Sequence, residues 1–353
     1  MLVILASFEV VGRTVLDQKD SCFTGLLMSG IYENYDSADL KKLCSDYGKT
    51  IYYNYPTKHL APNQHTDTVN INDHGFRGSE ITKIKDENTF RIFVLGGSLT
   101  YGMFSTSDET TYSGYLQEKF DSLNTDYKIE VINAGVNAYV SSDVTHQIKT
   151  KLVGYEPDLL IAITGNDVGR ASNDISTDVP FFYSVSNQFA SLKLYYKSPE
   201  FFEFIKRVAL KNVYGDQGVP GESVDHESIY DNITLWKNSW IKICGLSEES
   251  SFDVLIAIPP LLGDGNKTLS NWESKSLEKL SHTSIVSSYH LVKDALSDLD
   301  KKCTDTVDLT NVFDDVRKTI YLDLSHVSDS GNMLIADELF KSSLPIMYEK
   351  MGE

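Results

Sequence analysis

The fold of this chain is decided by residues 92–102, IFVLGGSLTYG, where a short apolar run ends in a turn of small residues. Such a run is typical of a β-strand that is buried on both faces, as in a parallel sheet covered by helices. The glycines at 96 and 97 allow a sharp turn, so Ser98 would leave the carboxyl end of this strand. Ligands of open α/β sheets bind at that edge.

Similar apolar runs recur further along the chain and alternate with segments of helical periodicity. The predicted strands cover residues 91–95, 129–133, 159–164, 254–258 and 306–309. The predicted helices cover residues 111–123, 142–152, 229–244, 274–299 and 330–343. This alternation predicts an α/β fold, a three-layer α/β/α sandwich around a five-stranded parallel sheet.

The beginning of the chain does not follow this alternation. Residues 1–88 are interpreted as an N-terminal extension that packs on a core domain at residues 89–350. A loop-rich insertion at about residues 171–223 interrupts that domain. Insertions at the carboxyl edge of a sheet commonly form the wall of a substrate pocket. The insertion contains an aromatic cluster that we interpret as core in preference to pocket lining: Phe181, Phe182, Tyr183, Tyr195 and Tyr196.

Composition excludes several classes of partner and site. The net charge of -18 is spread along the chain, which argues against nucleic acid as a partner. The four cysteines lack Cys-x-x-Cys spacing and the histidines lack ligand spacing, so no metal and no cofactor are predicted. In an oxidising compartment Cys22 could pair with Cys44 and Cys244 with Cys303; otherwise they are buried thiols.

The first eleven residues, MLVILASFEVV, are largely apolar but far fewer than the ~20 that a membrane-spanning helix needs. They also lack the basic region of a signal peptide. We interpret them either as the remainder of a membrane anchor whose first part is missing or trimmed, or as the start of a soluble helix. Sequons at Asn232 and Asn266 are compatible with an exported protein.

Polar residues that suit acyl transfer follow the predicted strands and stand near the C-terminus. A serine hydroxyl becomes nucleophilic when an imidazole accepts its proton and a carboxylate orients that imidazole. Ser98, His326 and Asp323 are the residues predicted for these roles, because Asp323 and His326 are close enough in sequence to meet within one turn. The backbone N–H groups of Ser98 and Gly135 and the amide of Asn166 are predicted to form an oxyanion hole.

These blocks resemble the SGNH hydrolase family, also called GDSL-like lipases and esterases. The family's four elements correspond to Ser98 in GGSLTYG, Gly135 in NAG, Asn166 in TGND and His326 in DLSH, in family order. One position departs from the family block, since Gly97 stands where members usually carry an aspartate. The resemblance implies a flavodoxin-like sandwich, ester hydrolysis without metal or cofactor, and an extracytoplasmic location, with or without a membrane anchor.

The predicted function is therefore a serine ester hydrolase that works through an acyl-enzyme. The resemblance implies a small-molecule, glycan or lipid ester as substrate, for example an acetyl group on carbohydrate. Gly97, Tyr101 and Asp167 are expected to contact it, and Arg77 either contacts substrate or ties the extension to the core. Two alternatives stay open: an O-acyltransferase on the same scaffold, and a non-catalytic carbohydrate-binding module.

Overall fold

The computed structural model describes residues 21–53, 58–166, 168, 226–280 and 284–352. Nearly all of these residues belong to one compact unit, Gly25–Arg170 together with Asp225–Glu353. The insertion predicted at 171–223, with its aromatic cluster, lies outside the described residues. The division into an extension at 1–88 and a domain at 89–350 stays a prediction.

Short elements precede the sheet, and longer ones then alternate. In chain order the described elements before the sheet are α1 Ser21–Ser29, α2 Ser37–Lys49, β1 Tyr52–Tyr53, β2 His59–Leu60, β3 Gln64–His65 and β4 Asn70–Ile71. The rest are β5 Thr89–Leu95, α3 Ser98–Tyr101, α4 Tyr112–Asp121, β6 Lys128–Asn133, α5 Ser141–Thr150, a 3-10 helix at Leu152–Tyr155, β7 Leu159–Ile163, α6 His226–Ser250, β8 Asp253–Ile258, α7 Asn271–Leu280, α8 Ser284–Asp300, β9 Asp305–Asp308 and α9 Asp329–Met351.

Five of these strands form the parallel sheet that the sequence predicts. Their order is β6-β5-β7-β8-β9, which is the 2-1-3-4-5 order of flavodoxin-like sheets. Every neighbouring pair is parallel. Helices α4 and α9 pack together, and α6 packs against both α5 and α8. The predicted fold class is therefore confirmed.

The burial of the strands follows their place in the sheet. Every residue of β5 and β7 is buried, whereas β6 and β9 at the two edges are partly exposed. One apolar cluster joins the sheet to α4 and α9 through residues such as Ile92, Leu116 and Leu339. Because central strands are covered on both faces, the continuous apolar runs predicted them well.

Two helices differ from the prediction. The helix expected at 274–299 is two helices, α7 and α8, and residues 281–283 between them lie outside the described residues. The last helix continues through Pro345 to Met351. The burial of Ile346 and Met347 offsets the lost N–H of the proline.

Of the two states predicted for the cysteines, the structure shows disulfide bonding and not free thiols. Cys244 in α6 is bonded to Cys303 just after α8, and no described cysteine is free. A covalent bond between these elements fixes two helices that pack on each other. Among the described residues, no helix is both long enough and apolar enough to cross a bilayer.

Arg77 ties the segment before the sheet to the turn after β5. Its backbone bridges to Asn133 at the end of β6, and its side chain is almost fully buried. The guanidinium bonds Asp108 at 2.7 Å and donates to the carbonyl oxygens of Tyr101 and Gly102 at 2.8 and 2.9 Å. Arg77 is thus a structural tie and does not face a substrate.

We expect Arg77→Ala to lower the free energy of unfolding by about 3–5 kcal/mol, because it removes the charged partner of the largely buried Asp108 and the hydrogen bonds to the carbonyl oxygens of Tyr101 and Gly102. Chemical denaturation measures the loss. Arg317→Ala is the matched control, since Arg317 is exposed and makes one hydrogen bond to Thr268. Equal losses in the two variants would contradict the assignment.

Candidate active site

Ser98 stands at the first position of the short helix α3, directly after the turn that ends β5. Gly96 has φ +152°, and a Cβ there would lie 2.6 Å from the carbonyl oxygen of Ile163, so only glycine fits. As the first residue of α3, Ser98 has no partner for its backbone N–H among the described residues. Its side chain is partly exposed and therefore accessible.

The C-terminal turn brings an imidazole to that hydroxyl. His326 Nε2 is 2.7 Å from Ser98 Oγ, and His326 Nδ1 is 2.7 Å from Asp323 Oδ2. Asp323 Oδ1 also accepts hydrogen bonds from the backbone N–H groups of Ser325 and His326, both at 2.9 Å. The three residues predicted from the sequence therefore form one hydrogen-bonded chain.

The groups around Asp323 keep its carboxylate charged. Burial would raise the pKa of Asp323, but the neighbouring His326 and the two backbone N–H groups outweigh it and lower that pKa. An ionised carboxylate at Nδ1 fixes the imidazole with its Nε2 lone pair toward the serine. This arrangement allows Ser98 to transfer its proton to His326.

Asn166 leaves the same edge of the sheet as Ser98. Leu95 of β5 lies opposite Ala162 of β7, so the two strands end at the same level of the sheet. The turn at Thr164 and Gly165 is fixed by Trp236 of α6, whose Nε1 donates to Thr164 Oγ1 at 3.0 Å. The Asn166 side chain is half-buried and has no partner among the described residues.

Gly135 is placed differently from the prediction. Its backbone N–H donates to Asn133 Oδ1 at 3.0 Å, so the prediction that this N–H is free for an oxyanion is wrong. The glycine is needed for another reason: a Cβ would lie 2.6 Å from the carbonyl carbon of Thr100 and would overlap the backbone nitrogen of Tyr101. Gly135 therefore allows the Ser98 helix to pack on the end of β6.

The structure places the residues predicted to contact substrate in different surroundings. Tyr101 is fully buried and its hydroxyl bonds Thr50 at 2.9 Å, so it does not face the site. Gly97 is partly exposed beside Ser98, and a Cβ there would lie 3.1 Å from the carbonyl oxygen of Tyr139. A side chain at position 97 would therefore require the Tyr139 carbonyl to shift by a few tenths of an ångström. Asp167 lies outside the described residues.

Glu273 holds the chain just before the Asp323 turn, and sequence reasoning missed it. Its carboxylate is fully buried and accepts hydrogen bonds from the backbone N–H groups of Ile320 and Tyr321 at 2.9 and 3.1 Å. It also bonds Lys267 Nζ at 2.9 Å and the N–H of Ser270 at 2.8 Å. The Ser270–Glu273 spacing is a capping-box pattern, which could have predicted the helix start but not the distant contact.

These bonds decide the charge of Glu273. Burial alone would raise its pKa, but the hydrogen bonds from the Ser270 and Ile320 N–H groups, from Lys267 and from the Tyr321 N–H lower it. Trp272, the preceding residue, donates to the carbonyl oxygen of Leu322 at 3.1 Å. The first turn of α7 thus anchors the residues that immediately precede Asp323.

The helix after His326 is joined to the loop after Ser98. Asp329 accepts hydrogen bonds from the N–H and the hydroxyl of Thr106 at 3.1 and 2.6 Å. Asn332 donates to Ser105 Oγ at 2.9 Å and to the carbonyl of Thr110 at 3.0 Å. These contacts hold the two halves of the site together. The part of the chain that is described contains no group of three or more metal-ligating side chains.

Comparisons with known proteins point to similar folds only. No family model matches the sequence, and no curated protein matches it. Solved structures with a similar fold include a catalytic variant of Axe2, an acetylxylan esterase from Geobacillus stearothermophilus. It is 12% identical with a TM-score of 0.42, covering 74% of this chain and 94% of its own.

Two further structures are similar to the same degree. The acetyl xylan esterase AlAXEase is 14% identical over 72% of this chain and 99% of its own, with a TM-score of 0.40. A two-domain esterase active on acetylated mannans, CEX, is 14% identical over 73% of this chain and 49% of its own, with a TM-score of 0.42. Similarity at this level carries no inference about the activity of this chain.

We expect Gly135→Ala to destabilise the protein by roughly 1–3 kcal/mol and to lower activity, because the added methyl group displaces α3 and with it Ser98. Thermal unfolding and the rate of labelling by a serine-reactive probe measure the two effects. Gly245→Ala is the control, since no atom lies within 4 Å of a Cβ there. Normal labelling by Gly135→Ala would contradict the close packing.

We expect Glu273→Gln to lower the free energy of unfolding at neutral pH by about 3 kcal/mol, because Lys267 loses its buried counter-ion. The pKa of Glu273 is lower in the folded chain than in the unfolded chain, so its contribution is complete above the unfolded value and is lost as pH falls through the folded one. The difference from wild type should therefore shrink in acid. Denaturation curves between pH 7 and pH 3 test this, with the exposed Glu118→Gln as control.

Proposed function

We propose that this chain is a serine ester hydrolase of the SGNH type, with Ser98 as nucleophile, His326 as general base and acid, and Asp323 as the orienting carboxylate. The observation that carries the proposal is the pair of 2.7 Å contacts from His326, one to Ser98 Oγ and one to Asp323 Oδ2. A binding module has no need of an oriented base beside an accessible hydroxyl, which weighs against the non-catalytic alternative.

In the first half of the reaction, Ser98 Oγ attacks the carbonyl carbon of the ester while its proton passes to His326 Nε2. The carbonyl π electrons move to oxygen and form the oxyanion of a tetrahedral intermediate. The N–H of Ser98 and the side-chain amide of Asn166 are the donors proposed for this oxyanion. Collapse breaks the bond to the alcohol oxygen, which takes the proton from His326 and leaves an acyl-enzyme.

In the second half, His326 accepts a proton from water as the water oxygen attacks the acyl carbon. The second tetrahedral intermediate collapses, the acid leaves, and the proton returns to Ser98 Oγ. Asp323 stays ionised throughout because its pKa is below the ordinary value for aspartate. Its role is to stabilise the imidazolium that forms in each half and to fix the ring orientation.

The substrate proposed is an acyl ester with a short acyl chain, such as acetyl on carbohydrate, or a lipid ester. This choice follows the resemblance of the blocks around Ser98, Gly135, Asn166 and His326 to the SGNH family. The proposed location is outside the cytoplasm. The Cys244–Cys303 disulfide supports it, because structural disulfides persist in oxidising compartments. Membrane anchoring through the N-terminal segment is part of the same proposal.

We expect Ser98→Ala to abolish hydrolysis of p-nitrophenyl acetate and covalent labelling by a fluorophosphonate probe, with the fold intact by circular dichroism. Asp323→Asn should reduce kcat by about 10⁴-fold. Asn166→Ala should reduce it by about 10²-fold to 10³-fold, since one oxyanion donor is worth ~3 kcal/mol. Ser297→Ala, an exposed serine on α8, is the control and should keep full activity.

The same assay separates the alternatives. Wild-type protein that neither labels nor turns over any ester of a chain-length series would exclude the hydrolase and favour a binding module. Transfer of acetyl to an added glycan acceptor, in place of release of free acetate, would identify an acyltransferase. Near-normal turnover by Ser98→Ala would mean that the nucleophile is assigned to the wrong residue.

A further inference from the structure

The loop that follows the Ser98 helix contains a strained aromatic residue. Phe104 has φ +69°, in the left-handed region that non-glycine residues rarely adopt. Such a conformation costs roughly 1–2 kcal/mol for a residue with a side chain. It persists only where surrounding contacts hold it, and residues held in this way cluster at functional sites.

Two tyrosines from the N-terminal part of the described chain supply those contacts: Tyr32 lies in the turn between α1 and α2, and Tyr47 lies in α2. We call Tyr32 and Tyr47 the tyrosine clamp. The hydroxyl of Tyr32 donates to the carbonyl oxygen of Phe104 itself at 2.7 Å. The hydroxyl of Tyr47 lies 2.6 Å from the carbonyl oxygen of Gly102 and 2.9 Å from that of Ser105, on either side of Phe104. The clamp therefore reaches three carbonyl groups within four consecutive residues.

The hydroxyl groups of the clamp remain hydrogen-bond donors at neutral pH. Burial raises the pKa of Tyr47 to about 12, even though the nearby Arg77 lowers it. Burial also raises the pKa of Tyr32, to which the negative charge of Asp329 adds. Both phenols are therefore protonated at neutral pH and donate to the loop.

The side chain that this loop presents lies against His326. The rings of Phe104 and His326 have centroids 5.5 Å apart and meet edge to face at 83°. The imidazole is otherwise fixed by polar contacts at its two nitrogens, to Ser98 and Asp323. Those two bonds define an axis through the ring, and an aromatic contact beside it opposes rotation about that axis.

We propose that Phe104 is a positioning residue for His326, and that the tyrosine clamp gives α2 and the turn before it a role in catalysis by holding Phe104 in place. This inference rests on the proposed function, in which His326 moves the proton of Ser98. The loop is held from the other side by Asp329 and Asn332 of α9, the helix that begins three residues after His326. The same contacts therefore hold the Phe104 ring and the His326 ring in fixed positions relative to each other.

Phe104→Leu tests the contact, because it keeps an apolar side chain and removes the ring. We expect kcat to fall about 10-fold to 100-fold with KM within about twofold of wild type, since small misplacement of a catalytic group is costly. Phe104→Tyr keeps the ring and should retain most of the activity. A Phe104→Leu variant that folds and keeps the kcat of wild type would overturn the proposal.

The clamp is tested by Tyr32→Phe and Tyr47→Phe, which remove single hydroxyl groups and leave the rings. Tyr35→Phe is the matched control, because Tyr35 is exposed and its hydroxyl has no partner among the described residues. We expect both clamp variants to lower kcat in the wild-type background but not in the Phe104→Leu background, while their loss of stability is the same in both. Equal kcat effects in the two backgrounds would show that the clamp does not act through Phe104.

A spectroscopic measurement keeps this test independent of turnover. The His326 Nδ1–H proton, bonded to Asp323, should give a low-field NMR resonance that is absent in His326→Ala. We expect this resonance to be sharp in wild type and Tyr35→Phe, and broadened in Phe104→Leu by faster exchange. Broadening without any esterase activity would overturn the proposed function alone; an unchanged resonance in an active Phe104→Leu variant would overturn the positioning role alone.

Discussion

The hydrogen bond between Ser98 and His326 joins chain segments 228 residues apart at 2.7 Å, so its geometry depends on how the two segments are held. Each partner sits on a short turn, and a turn has too few contacts of its own to hold such a distance. The described structure stabilises both turns from outside. Arg77 and the glycine at 135 fix the turn after β5, and Glu273 fixes the chain before Asp323.

Two of these supporting groups, Arg77 and Glu273, share one physical property: they are buried polar side chains that hydrogen-bond to backbone groups. Arg77 donates to the carbonyl oxygens at the end of α3, and Glu273 accepts from the N–H groups just before the turn that contains Asp323 and His326. Burying such charges is costly, and the cost is offset only by complete hydrogen bonding. Because these bonds are directional, they set the geometry of a turn more closely than apolar packing does.

Much of the site could be predicted because its residues stand in short sequence patterns. Asp323 and His326 are close enough in sequence to meet within one turn. Ser98 follows an apolar run that predicts a buried strand, and the structure has the buried strand β5 there. The prediction for Gly135 was wrong because a free N–H cannot be told from a bonded one without knowing where Asn133 points. The prediction that Tyr101 contacts substrate was wrong because its side chain is buried and its hydroxyl bonds Thr50, a distant contact that the spacing from Ser98 does not reveal.

Periodicity and contacts close in the chain were enough to predict the layer order, the strand positions and the pairing of Asp323 with His326. Only the tertiary structure decided which groups support them. Lys267 and Glu273 are 6 residues apart, Tyr32 and Phe104 are 72 apart, and Phe104 contacts His326 near the other end of the chain. Such contacts leave no periodic signal, because each depends on how separate elements pack and not on the order of residues within one of them.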